Sequence, residues 1–204
     1  PVDPAHRFFA LNASHGTMLT QEGIRQQIVN ILSSSELSTG NVITQNIEEC
    51  KLNGQAIAVY SPVSIDVVDE DGNHLGLASD GVSTENNIPN ANFEIMGEEK
   101  FVYLPNDEGQ IYEIKLQGTG IGTFSITNTE IKNNQTAREH IFIDIPVTIQ
   151  TQAEIILDQA GVPELKLDVT GDGITDFTIL PHAEFNPVLY LQIVKATINS
   201  LDLP

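Results

Sequence analysis

Cysteine is nearly absent from this chain: Cys50 is the only one in 204 residues, so no internal disulfide framework can form. Tryptophan is missing and methionine occurs twice. Basic residues are also scarce. Nine Lys and Arg stand against 28 Asp and Glu, giving a formal net charge of −19 and a pI near 4.3. Such a surface repels phosphate backbones and anionic lipid alike, which excludes nucleic acid as an expected partner and favours cations. No run of about 18 apolar residues is present, so no helical membrane span is expected. No signal peptide opens the chain, which begins at Pro1 without Met; an excised or processed fragment is expected.

Against those absences, the hydrophobic fraction of 40% is ordinary for a globular protein. Asn, Thr, Ile and Val are abundant, a mix that suits a secreted or cell-surface β-domain held together without disulfides. Residues 1–36 read as a helical segment. Thr20 is placed to cap a helix over 21–32, with Glu22 in its first turn and Ile24, Ile28, Val29, Ile31 and Leu32 at helical spacing. Residues 37–53 read as a polar linker. From 54 to 181 the text is strand-like, with short runs such as Val63-Ser64-Ile65-Asp66-Val67-Val68 alternating apolar and polar and turn signals every 8–12 residues or so. Asp69 to His74 predicts a hairpin turn around Asp71-Gly72. Gly118-x-Gly120-x-Gly122 predicts a bulged hairpin, because a strand and not a helix follows it. His140–Asp144 and Val147–Ile149 read as two strands. Residues 182–204 read as an amphipathic C-terminal helix opening at Pro187. The expected fold is therefore mainly β: an immunoglobulin-like antiparallel sandwich with an N-terminal helical segment and a C-terminal helix.

The stretch from Asp168 to Asp176 carries the clearest chemistry. Asp168, Thr170, Asp172 and Asp176 offer side-chain oxygens at positions 1, 3, 5 and 9, and the Ile174 carbonyl at position 7 adds a backbone oxygen. Gly173 at position 6 permits the sharp turn that lets a short loop converge on a hard cation. Position 12 is Ile179 where an EF-hand needs Glu, so helix–loop–helix is excluded. The nine-residue form resembles the D-x-[DN]-x-D-G-x-x-D calcium loops between strands of integrin-like and other extracellular repeat proteins, with Thr170 as a weaker, neutral ligand. The same residues also make a Gly-rich hairpin turn with solvated acids. Asp66, Asp69 and Asp71 are a second acidic group, read as a solvated turn and alternatively as a cation site. His6, His74, His140 and His182 share no metal-ligand spacing, and Asn12-Ala13-Ser14 and Asn134-Gln135-Thr136 fit glycosylation sequons.

Ala13-Ser14-His15-Gly16-Thr17-Met18-Leu19, followed by a helix, resembles the C-terminal end of secreted bacterial α/β-hydrolases of the lipase and esterase type. There the triad histidine sits in a loop before the last helix. Residues 61–76, reading S-P-V-x-I-x-V-x-D-x-x-G-x-H-x-G, are similar to β-sandwich tails appended to such enzymes. The resemblance implies that His15 is a general base taking a proton from a serine. No G-x-S-x-G elbow occurs here, and the usual order places Ser and Asp before His, so both would lie upstream. The expected function is a non-catalytic accessory module of an extracellular protein, stabilised by Ca²⁺, with an upstream hydrolase domain or a cell-surface component as partner. Two alternatives stand: an esterase part supplying His15, and an adhesin or surface-layer domain.

Overall fold

The computed structural model describes residues 7–11, 22–33, 43–78, 80–105, 110–158, 161–181 and 187–201, the last segment by backbone alone through 190. Two antiparallel sheets enclose one continuous core. The first has five strands in the order β11-β10-β3-β8-β7, formed by Gln135–Val147, Gly122–Lys132, Gly54–Tyr60, Glu99–Pro105 and Asn92–Met96. The second has seven, β14-β13-β12-β9-β4-β5-β6, formed by Phe177–Ile179, Leu165–Asp168, Gln152–Leu157, Tyr112–Gly118, Val63–Asp69, His74–Leu77 and Thr84–Asn86. A separate ribbon pairs β1 (Phe9–Ala10) with β2 (Ile43–Thr44). Helix α1 (Glu22–Leu32) lies between β1 and β2 in sequence, and α2 (Pro187–Asn199) follows β14.

Period-2 patterning explains the packing. In β4, Val63, Ile65 and Val67 are buried while Ser64, Asp66 and Val68 lie on the outer face. Tyr112, Ile114 and Leu116 do the same in β9, and Ile57, Val59, Val102, Leu104, Phe124 and Ile126 supply the opposing layer. Each such side chain contributes about 1.5–3 kcal/mol by leaving water. Consecutive strands β3 and β4 lie in different sheets, as do β8 and β9. Yet β3 pairs with β8 and β4 with β9, which interlocks the two layers in the immunoglobulin manner. The β10–β11 hairpin then completes the first sheet beside β3, and β12 returns to the second beside β9.

Two local expectations are corrected. Residues 118–122 do not form a hairpin: β9 and β10 belong to different sheets, and Gly118 to Gly122 carry the chain between layers. Val147–Ile149 is not a separate strand either. Asp144, at φ 54°, makes a bulge whose N–H donates to Ser125 Oγ at 3.0 Å, so one strand runs through to Val147. A turn then follows, in which Thr151 N–H donates to Thr148 O at 3.1 Å. Pro146 is tolerated because β11 is an edge strand.

Residues expected as a linker are tied down in part. Asn134, at the β10–β11 turn, accepts from Leu52 N–H at 2.6 Å and donates to the Cys50 carbonyl at 3.0 Å. Asn53 Oδ1 accepts from Asn133 N–H at 2.8 Å. Helix α2 sends Ile193 into the core, with Ala196 packed against it. Helix α1 buries Ile24 and Gln27, and neither belongs to that core.

Candidate functional site

The Asp168–Asp176 loop joins β13 to β14 at one end of the seven-stranded sheet. Two left-handed glycines, Gly171 at φ 73° and Gly173 at φ 85°, fold it back on itself. Asp168 is its hub, only 8% exposed. Its Oδ1 accepts from Thr170 N–H at 3.1 Å, Gly171 N–H at 2.7 Å and Thr170 Oγ1 at 3.3 Å, and its Oδ2 accepts from Gly173 N–H at 2.7 Å. Burial opposes ionisation of Asp168, but the bonds from Gly173, Gly171 and Thr170 outweigh it and hold the carboxyl below the usual carboxylate range. Asp172 accepts from Ile174 N–H at 2.9 Å, and Asp176 from Val169 N–H at 2.8 Å.

The donor chemistry fits calcium, since all five expected ligands offer oxygen. The geometry is that of a loop stitched by its own amides: no three acidic, His or Cys side chains among the described residues are grouped to hold an ion. The five residues share one turn, and their carboxylates are engaged inward.

Beside this loop, the outer face of the seven-stranded sheet carries a charged row in register. Asp66 lies opposite Lys115, Lys115 opposite Glu154, and Glu154 opposite Lys166. These residues and Asp168 border an open groove of about 310 Å³. Lys166 Nζ donates to Glu154 at 2.8 Å, which raises the lysine's pKa. At the far end His74 stands between Asp66, 3.0 Å from Nε2, and Glu85, 3.4 Å from Nδ1. Gly76 makes that meeting possible, because a methyl group there would run into Asp66 Oδ1.

The other acidic group does not converge. Asp66 and Asp69, an odd number of residues apart, face opposite sides of β4. Asp69 staples the turn instead, its Oδ1 accepting from Asp71 N–H at 3.0 Å and Asn73 N–H at 2.8 Å. His15, His6, His182 and the sequon at Asn12 lie outside the described residues. At the second sequon, Asn134 Nδ2 already donates to the Cys50 carbonyl, so a glycan on that nitrogen would leave one N–H to hold that bond.

One cluster escaped sequence reasoning. Lys100 Nζ donates to Ser61 Oγ at 2.5 Å and to the Glu98 carbonyl at 2.7 Å, and Ser61 Oγ also donates to that carbonyl. Burial lowers the Lys100 pKa, with Glu98 opposing. The group ties the β3–β4 corner to the β7–β8 turn. No sequence signal announces it, because Ser61 and Lys100 are 39 residues apart.

Comparison with known protein families, with curated proteins and with solved structures found no match to this chain.

Proposed function

We propose that the chain is a non-catalytic accessory module of an extracellular bacterial protein, a calcium-stabilised sandwich attached to a lipase-like hydrolase domain. The observation behind the attachment is the apolar side of α1, which also favours the alternative of an esterase part supplying His15. Val29 and Ile31 are each 54% exposed and Leu32 79% exposed, while Ile24 is the one apolar residue of the helix that is buried. A surface helix normally turns its apolar stripe onto a core. One left in water fits a helix whose covering surface belongs to another domain, and the hydrolase resemblance of residues 13–19 supplies the kind of domain.

Calcium at Asp168, Thr170, Asp172, Ile174 and Asp176 is part of the reading. It is supported by the all-oxygen donor set, the two left-handed glycines and an Asp168 held ionised. Because the carboxylates are tied to loop amides, binding is a rearrangement of the loop and not the filling of a formed cage. The test is a p-nitrophenyl butyrate assay of this chain and of His15→Ala. No turnover by either is expected; turnover abolished by the substitution would make His15 catalytic and overturn the accessory role.

A further inference from the structure

The outer face of the five-stranded sheet holds a trough that none of the motifs above uses. Outward residues of three neighbouring strands stand in register there: Thr129, Ala56 and Tyr103 form one row, and Thr127, Ala58 and Phe101 the next. Alanine at the centre of each row keeps the floor low along β3, while rings on β8 form one wall and threonines on β10 the other. Asn92 and Glu94 on β7 extend the rows beyond the rings. The space measures about 280 Å³ at the Phe101 end and about 480 Å³ at the other, where Cys50 to Asn53 and Ala10 overhang it; the two parts share Ala56, Asn92 and Tyr103.

The trough is built in advance. Tyr103 Oη donates to the Asn53 carbonyl at 2.9 Å, which fixes the ring, and the Asn134 side chain holds the overhanging segment at Cys50 and Leu52. Phe101 and Tyr103 are two residues apart on one strand, so they share a face with Cα atoms about 6.6–6.8 Å apart, and the Tyr103 ring leans over Gly54. A chain-like ligand lying along β8 can meet both. The polar lining is mainly amides and hydroxyls, which both donate and accept, with Glu49 and Lys51 at the overhang. The one carboxylate on the β7 side, Glu94, already accepts from Asn92 Nδ2 at 3.0 Å.

We infer that this trough binds a neutral, polyhydroxylated chain, an oligosaccharide whose ring faces stack on Phe101 and Tyr103 and whose hydroxyls meet Asn92, Thr127 and Thr129. Flat ring faces suit the aromatic wall, and a few placed polar groups on an apolar surface set orientation. The net charge of −19 disfavours polyanionic glycans. An extended peptide adds to a sheet through unpaired strand edges, but β3, which floors the trough, is paired on both sides by β8 and β10. This role deepens the accessory-module reading and rests on it for its purpose. The trough shares no residue with the 168–176 loop, so sugar binding and calcium binding succeed or fail separately.

The experiment is calorimetric titration of the full chain with cellohexaose, xylohexaose, mannohexaose and maltohexaose, each with calcium and with chelator. Saturable binding of at least one is expected, unchanged by the chelator, and Ala58→Arg should weaken it about tenfold or more by filling the floor. Should Ala58→Arg fail to fold, Thr127→Lys, on the outer face of β10, obstructs the same space. Binding of none of the four would overturn the inference. So would equal affinity in a folded variant, or heat from an extended Ser/Thr-rich peptide alone.

Discussion

The Gly173 amide donates to Oδ2 of Asp168 at 2.7 Å, closing the turn between β13 and β14 around one nearly buried carboxylate. The loop is therefore organised by charge before any ion is considered. Removing that side chain takes their acceptor from the N–H groups of Thr170, Gly171 and Gly173.

Asp168→Ala is expected to cost about 2 kcal/mol at pH 7 in chelator, the scale of hydrogen bonds to a charged group. The folded carboxyl titrates below its unfolded value of about 3.9, so its stabilisation is complete above that value and is lost as pH falls through the folded pKa. Urea unfolding at stepped pH checks this: the gap between wild type and variant should be constant above about pH 5 and should close below about pH 4.

Gly118 and Gly122 lie on the same crossover and should respond oppositely to alanine. A methyl group at Gly118 would fall on the Thr148 carbonyl, a backbone atom that cannot rotate away. Gly118→Ala is expected to destabilise by about 3 kcal/mol through overpacking. At Gly122 the nearest atoms are Pro62 Cδ and Cγ at 3.5 Å, an ordinary contact. Gly122→Ala should be neutral or stabilise by up to about 1 kcal/mol by restricting the unfolded chain. Thermal midpoints of the pair measure the contrast.

Tyr112 is 1% exposed, and its hydroxyl lies 2.6 Å from both the Pro105 carbonyl and Gln110 Oε1. Tyr112→Phe keeps the ring in the core and removes the hydroxyl that meets the buried Pro105 carbonyl and the half-buried Gln110 amide. A loss of about 1–2 kcal/mol in denaturant unfolding is expected, with an unchanged m-value.

Much of the sandwich was legible because its long strands alternate cleanly: β3, β4, β8, β9 and β12 stand where the apolar period places them. Both helices also follow their apolar spacing, α1 ending at Leu32 and α2 opening at Pro187. Among the short strands β7, β13 and the β4–β5 hairpin were legible, and β6 was not. Thr84-Glu85-Asn86 of β6 is exposed throughout and shows no buried face, and His74–Leu77 of β5 sends a single large apolar side chain, Leu75, into the core. At Gly118–Gly122 the glycines signalled a bend correctly, but whether a bend returns to the same sheet or crosses to the other is a tertiary choice. The bulge at Asp144 split one strand into two apparent ones for a similar reason, because its compensation lies on Ser125 of the neighbouring strand.

The candidate loop was readable from spacing alone, since all its residues fall within one turn. What spacing does not reveal is how the oxygens are used, and here they face the loop's own amides. The trough on the other sheet was invisible in sequence. Ala56 gains its meaning only beside Tyr103 and Thr129, which are 47 and 73 residues away along the chain.

Thermal unfolding of the metal-stripped chain, with added Ca²⁺ and with chelator, tests the central claim most directly. An ion bound only by the folded form at a hundredfold excess over its Kd adds about 2.7 kcal/mol. For a chain of this size that is a midpoint rise of roughly 5–10 °C. The account predicts such a rise and its loss in Asp172→Ala, whose side chain accepts from Ile174 N–H. Equal midpoints with calcium and with chelator would contradict it and leave Asp168–Asp176 as a hairpin turn closed by its own carboxylates.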